Sequence, residues 1–240
     1  MHALARRLPP PQEVQFHGSF AYRYVEKSLH QALVQKLARY VSGLQAAHLL
    51  LEHGYVQEQA ALQRMLDEIQ EDITFLAFAS ISDDITPLHT QYLEAFYQEE
   101  FDAPTAIAST QKRAMVSRQK IRAYNARAEG QPIDPSRAVE ASRTVSKAYS
   151  GYVHVASPHI MDMYCGDPPR FHLRGMRGTP RQNEHRKDLW NYFYRGILGF
   201  AFAVKAFGDD ELFSQIGDFA AKFAEQAGEN YGLPPKPPGA

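Results

Sequence analysis

The chain reads as an all-α protein, an up-and-down bundle of long antiparallel helices. Three observations predict this. Apolar residues recur at three- and four-residue spacing over long stretches, the stripe of an amphipathic helix. Glycine, aspartate and proline fall between those stretches as stop and start signals. The breaks are short, and short connections join antiparallel neighbours.

From Ser19 to Glu52 the stripe is Tyr22, Val25, Leu29, Leu33, Leu37, Tyr40, Leu44 and Leu51, with Gly54 as the stop. A second helix is predicted from Val56 to Ser80, on Leu62, Met65, Leu66, Ile69, Ile73 and Leu76. Asp83, Asp84 or Thr86 caps a third, from Pro87 to Phe101. After the break at Asp102–Pro104 a basic helix is expected from Thr105 to Ala128. Asp134-Pro135 has the cap-then-proline form of another start, carrying the chain to Val155. An irregular insertion at 157–178 follows, in which Arg170–Gly178 is irregular or a small hairpin, the one place where strand is allowed. Thr179-Pro180 opens a long helix to Phe207, and Gly208-Asp209 breaks it and caps a final helix to Gly228. One helical domain over 1–240 is expected, with 1–15 and 230–240 as poorly ordered tails.

Composition narrows the class. With 44% hydrophobic and 12% aromatic residues in 240, the chain has enough apolar matter for a sizeable core and is too rich for a disordered protein. No apolar run approaches the roughly 20 residues of a membrane span, so no membrane partner is expected. The N-terminus shows no signal-peptide pattern, and a single cysteine fits a reducing compartment, so the expected location is cytoplasmic. Classical nucleotide loops, GxGxxG or GxxxxGK[ST], are missing, and no cofactor is expected.

The net charge of −1 hides an asymmetry between blocks. Residues 1–54 carry +3, residues 55–102 carry −10, residues 103–187 carry +9, and the remainder −3. Lys112, Arg113, Arg118, Lys120 and Arg122 crowd the basic helix; Arg170, Arg174 and Arg177 follow in the insertion, with Arg181, Arg186 and Lys187 beyond. Charge of this density suits a phosphate backbone, although opposed blocks can equally pack against each other. Arg64, Glu68 and Asp72, at i, i+4 and i+8, form either a solvated ladder or a partly buried polar cluster.

Chemistry-bearing side chains concentrate between Arg143 and His172: three histidines, the one cysteine, three tyrosines and two aspartates. His154, His159, Asp162, Cys165, Asp167 and His172 invite a metal, but no CxxC, HExxH or His pair at i, i+4 is present, and no metal is expected. Arg143, Lys147, Ser150 and His154 share one helical stripe, with Tyr149 and Tyr152 on the other side. A cation, a hydroxyl and an imidazole on one stripe can hold an anion and move a proton; a core-edge histidine bonded to a neighbour is the structural alternative.

The LQRMLDEIQEDITFLA helix with Arg64 and Glu68, the long first helix, and SKAYSGYVH at Ser146–His154 resemble a set of bacterial helical proteins distantly similar to the HEPN superfamily. Several HEPN proteins are ribonucleases of toxin and defence systems, so the resemblance implies a helical bundle and an RNA substrate. Their motif places a histidine four to six residues after an arginine; here Arg143 and His154 have ten residues between them, so no site carries over by position. Three functional readings follow: binding of a phosphate-bearing partner such as RNA through 112–127 and 170–187; a metal-independent ribonuclease with His154 as general acid/base and Arg143 on the phosphate; and a non-catalytic homo-oligomer joined through a helix face.

Overall fold

A computed structural model describes residues 1–16, 18–99, 103, 105, 107–110, 115–128, 144 and 147–228. Its elements in chain order are α1 (His2–Ala5), β1 (Gln12–Phe16), β2 (Ser19–Arg23), α2 (Leu29–Glu52), α3 (Val56–Ile81), α4 (Pro87–Tyr97) and α5 (Arg118–Ala128). There follow α6 (147–153), α7 (Ser157–Met161), β3 (Tyr164–Cys165), β4 (Arg170–Phe171), α8 (Pro180–Ala206) and α9 (Asp210–Ala227). The protein is an all-α bundle, with two short antiparallel hairpins as its strands among the described residues.

The centre is α2, α3 and α8. Gly54 turns α2 back on α3 with φ of +79°, and its α-carbon passes against the backbone of Met176 and Arg177, where no side chain fits. Contacts at its two ends fix the sense of α8. At one end Gln182 Nε2 donates to Leu51 O (2.6 Å) and His185 meets Gln59; at the other, His30 and Ser80 both reach Ala206 O. So α8 runs against α2 and alongside α3. The three helices bury Leu33, Leu37, Tyr40, Leu66, Ile73, Leu76 and Val204 in one continuous core. α9 folds back on α8 after Gly208, with Asp209 accepting from the Leu212 N–H as its cap and Gly228 ending it in the left-handed conformation.

α3 is unusual in burying a row of polar residues: Gln59, Gln63, Asp67, Gln70, Glu71 and Asp72. Besides Gln59, which meets His185, the three carboxylates are matched by partners from other helices. Asp67 accepts from Arg195 (2.6 Å) and from the Tyr192 hydroxyl (3.1 Å), and Tyr40 donates to Tyr192 O, tying α2, α3 and α8 together. Asp72 takes Lys36 of α2 (2.7 Å) and Arg118 of α5 (2.6 Å), while Glu71 takes Arg122 (2.6 Å). The acidic and basic blocks therefore meet inside the protein at these pairs.

Several boundaries differ from the sequence expectation. The stripe beginning at Ser19 is a strand first: 12–16 and 19–23 pair as a hairpin, and α2 starts only at Leu29. Ser28 stops the helix from extending backwards, since its hydroxyl caps the Gln31 N–H and the Gln31 amide returns to the Ser28 N–H. Residues 1–15, expected as a tail, hold α1 and most of β1, and Leu4 is 1% exposed. α4 ends at Tyr97 rather than Phe101. The basic helix begins at Arg118, not Thr105, so it is half the expected length. Of the predicted 135–155 helix, 147–153 is seen as helix, and the tail 230–240 lies outside the described residues.

Candidate functional site: a polar cleft beside a cationic loop

At the α2–α3 turn end of the bundle, α6, α7 and the first two turns of α8 enclose an open cleft of about 410 Å³. Spacing on each helix supplies its walls. On α8, Arg181, Glu184, His185 and Asp188 recur at i, i+3, i+4 and i+7, one face of a helix. On α6, Tyr149 and Tyr152 are three apart and turn to the same side. α7 adds Pro158 and His159, and Asp162 follows it.

The polar groups are interlocked. Asp162 is paired with Arg181, which also holds Glu184 (2.8 Å), and accepts the Tyr152 hydroxyl (3.3 Å). Asp188 accepts the Tyr149 hydroxyl (2.9 Å). Burial first, then the neighbouring carboxylate, raises both phenols; Tyr152 is pushed up to about 12, and Tyr149 higher still. Both therefore stay protonated and donate. His185, 4% exposed, bonds through Nδ1 to Gln59 Oε1 at 2.9 Å. With a carbonyl oxygen as partner Nδ1 is the donor, so Nε2 keeps the lone pair. Burial lowers the His185 pKa and keeps the ring neutral at pH 7. His159 stands edge-on to Tyr152 with ring centroids 4.5 Å apart, and its Nε2 reaches Ala148 O. The ring lies directly on the α-carbon of Gly151, where a methyl group would overlap it.

The residues singled out from sequence are distributed as follows. His154 is exposed on the turn after α6, its N–H bonded to Ser150 O, and does not line the cleft. Lys147 is likewise exposed, so that stripe is the outer face of α6, with the tyrosines inward. Arg143, Lys112 and Arg113 lie outside the described residues. Arg64 pairs with Glu68 (2.7 Å), whereas Asp72 turns away to Lys36 and Arg118. Arg118 and Arg122 are held by Glu71 and Asp72, while Lys120 is exposed. Arg170, Arg174 and Arg177 are exposed on the 164–178 loop beside the cleft, and no ion pair holds them among the described residues. That loop is pinned to the bundle by the Met176 N–H on Gly54 O (2.7 Å).

Glu184, His185 and Asp188 are cleft residues that were not singled out from sequence as a site. Their signal was present in the i, i+3, i+4, i+7 polar face at the start of an otherwise apolar helix. Among the described residues no group of three histidine, cysteine or carboxylate side chains is placed to hold a metal ion, and no helix is long and apolar enough to cross a membrane. Comparison of the chain with protein-family models, with curated proteins and with solved structures gives no match.

Proposed function

We propose that the protein binds a phosphate-bearing partner, with single-stranded RNA the first to test, through the cationic loop at the α2–α3 turn end. The observation that carries this is how the arginines are committed. Arg118, Arg122 and Arg195 are tied to buried carboxylates, and Arg181 to Asp162 and Glu184. Arg170, Arg174 and Arg177 are exposed with no such partner among the described residues, on a loop whose backbone is anchored to the bundle. Uncommitted guanidinium groups on a fixed frame gain the most from phosphate, because they lose no internal pair and little chain entropy on binding. The distant resemblance to the HEPN superfamily, some of whose members are ribonucleases, is in keeping with the same class of partner.

Photo-cross-linking to 4-thiouridine RNA, followed by peptide mapping, tests the placement. The expected result is cross-links concentrated in 164–187 and sparse in 118–128. Cross-links centred on 118–128, or scattered evenly over the chain, would contradict it.

A further inference from the structure

The cleft itself has a different chemistry from the loop beside it. Three carboxylates, Asp162, Glu184 and Asp188, face one guanidinium, Arg181, so the walls carry an excess of two negative charges before the imidazoles are counted. Arg181 is shared between Asp162 and Glu184. Asp188 has the Tyr149 hydroxyl and no cation among the described residues. The hydroxyl donors of both tyrosines are already spent on carboxylates. The buried His185 spends its Nδ1–H on Gln59, which leaves Nε2 as an acceptor without a protein partner among the described residues. The groups with capacity to spare are therefore acceptors: the Asp188 carboxylate with one neutral donor, the Glu184 carboxylate with a shared cation, the His185 Nε2 lone pair, and the buried, unpartnered Nδ1 of His159. Two tyrosine rings, with centroids 6.1 Å apart, form the adjoining wall.

A ligand suited to such a cleft brings positive charge and N–H donors, and has an alkyl portion to lie against the rings. A phosphate would bring more acceptors and more negative charge, and would meet repulsion on both counts. Aromatic faces attract cations through the ring quadrupole, and a partly desolvated carboxylate without a counter-ion strengthens the preference. The volume of about 410 Å³ is within the range of small-molecule sites. We propose that the cleft between α6, α7 and α8 is a binding site for a small organic cation, an alkyl amine or guanidine. In it the charged head meets Asp188 and Glu184, and a second N–H meets His185 Nε2.

The site is separate from the phosphate-binding loop, and the two readings fail separately. Agmatine, which carries an ammonium at one end and a guanidinium at the other, is the probe; glycerol 3-phosphate is its anionic counterpart. Titration calorimetry of the full chain should show saturable agmatine binding and none of glycerol 3-phosphate. Asp188→Asn keeps an oxygen for Tyr149 and should weaken agmatine at least tenfold. Glu184→Gln, at a side chain 62% exposed, should weaken it severalfold without touching the fold, and serves if Asp188→Asn does not fold. The Arg170→Ala/Arg174→Ala/Arg177→Ala variant should bind agmatine as the wild type does. No saturable agmatine binding, unchanged affinity in both carboxylate variants, or glycerol 3-phosphate binding as tight as agmatine would each overturn the proposal.

Discussion

His185 is sealed against Gln59, and His89 is fully buried with its ring stacked on Phe75 at 4.0 Å between centroids. Burial lowers the pKa of both below the ordinary 6.5. The unfolded chain therefore takes up these two protons before the folded protein does. Their contribution to stability is complete above about pH 6.5 and is lost as the pH falls towards the folded values. Thermal unfolding should show a melting temperature level from pH 8 to 7 and falling below about pH 6.5, with a shallower fall in His185→Gln. A melting temperature flat down to pH 5 would mean that neither ring is held neutral. These roles were not legible in the sequence. It showed that histidine and tyrosine crowd 143–172, but nothing in the spacing tells which stripe of α6 faces water. Tyr152 rather than His154 lines the cleft because Tyr149 and Tyr152 pack towards α8, a contact made from 39 residues away.

At the scale of elements, α6 and α7 are held together by a glycine. The His159 imidazole rests where a side chain at 151 would stand, so Gly151→Ala must push it aside. Overpacking of this kind costs about 1–3 kcal/mol. Urea denaturation should show a lower midpoint, and a midpoint equal to that of the wild type would mean that the ring moves freely. Most long helices were readable because their ends carry chemical signals: Thr179-Pro180 and Asp209 start α8 and α9, and Gly54 and Gly228 end α2 and α9. The β1–β2 hairpin was missed for a physical reason. Tyr22 and Val25 happen to continue the spacing of Leu29 and Leu33 backwards, so a strand aligned by chance with the helical stripe. The break was written at Ser28 and Gln31, the reciprocal cap, which outweighs two apolar residues.

The whole molecule is organised by the opposition of its acidic and basic blocks. The sequence showed the blocks but left open whether they meet each other or a partner, since a linear pattern gives no distances. In the structure α5 is drawn onto Glu71 and Asp72, while the 170–177 arginines are left outward, where the proposed partner would meet them. These two basic stretches meet the bundle at different heights, the one at residues 71–72 of α3 and the other at Gly54 just before it, about 25 Å apart at 1.5 Å per residue. Asp72→Ala strands Lys36, whose side chain is 17% exposed, and leaves Arg118 only Glu68 O and the longer Glu71 contact, so it should cost about 3 kcal/mol in equilibrium unfolding while loosening α5. A loss under about 1 kcal/mol would show that the pairs are solvated, as surface pairs are. The most direct test of the account is the salt dependence of RNA affinity. Fluorescence anisotropy of labelled single-stranded RNA would be followed between about 50 and 200 mM salt for the wild type and for Arg170→Ala/Arg174→Ala/Arg177→Ala. Three lost phosphate contacts should make the slope of log affinity against log salt shallower by about 2. An unchanged slope, or no salt-sensitive binding by the wild type, would contradict it.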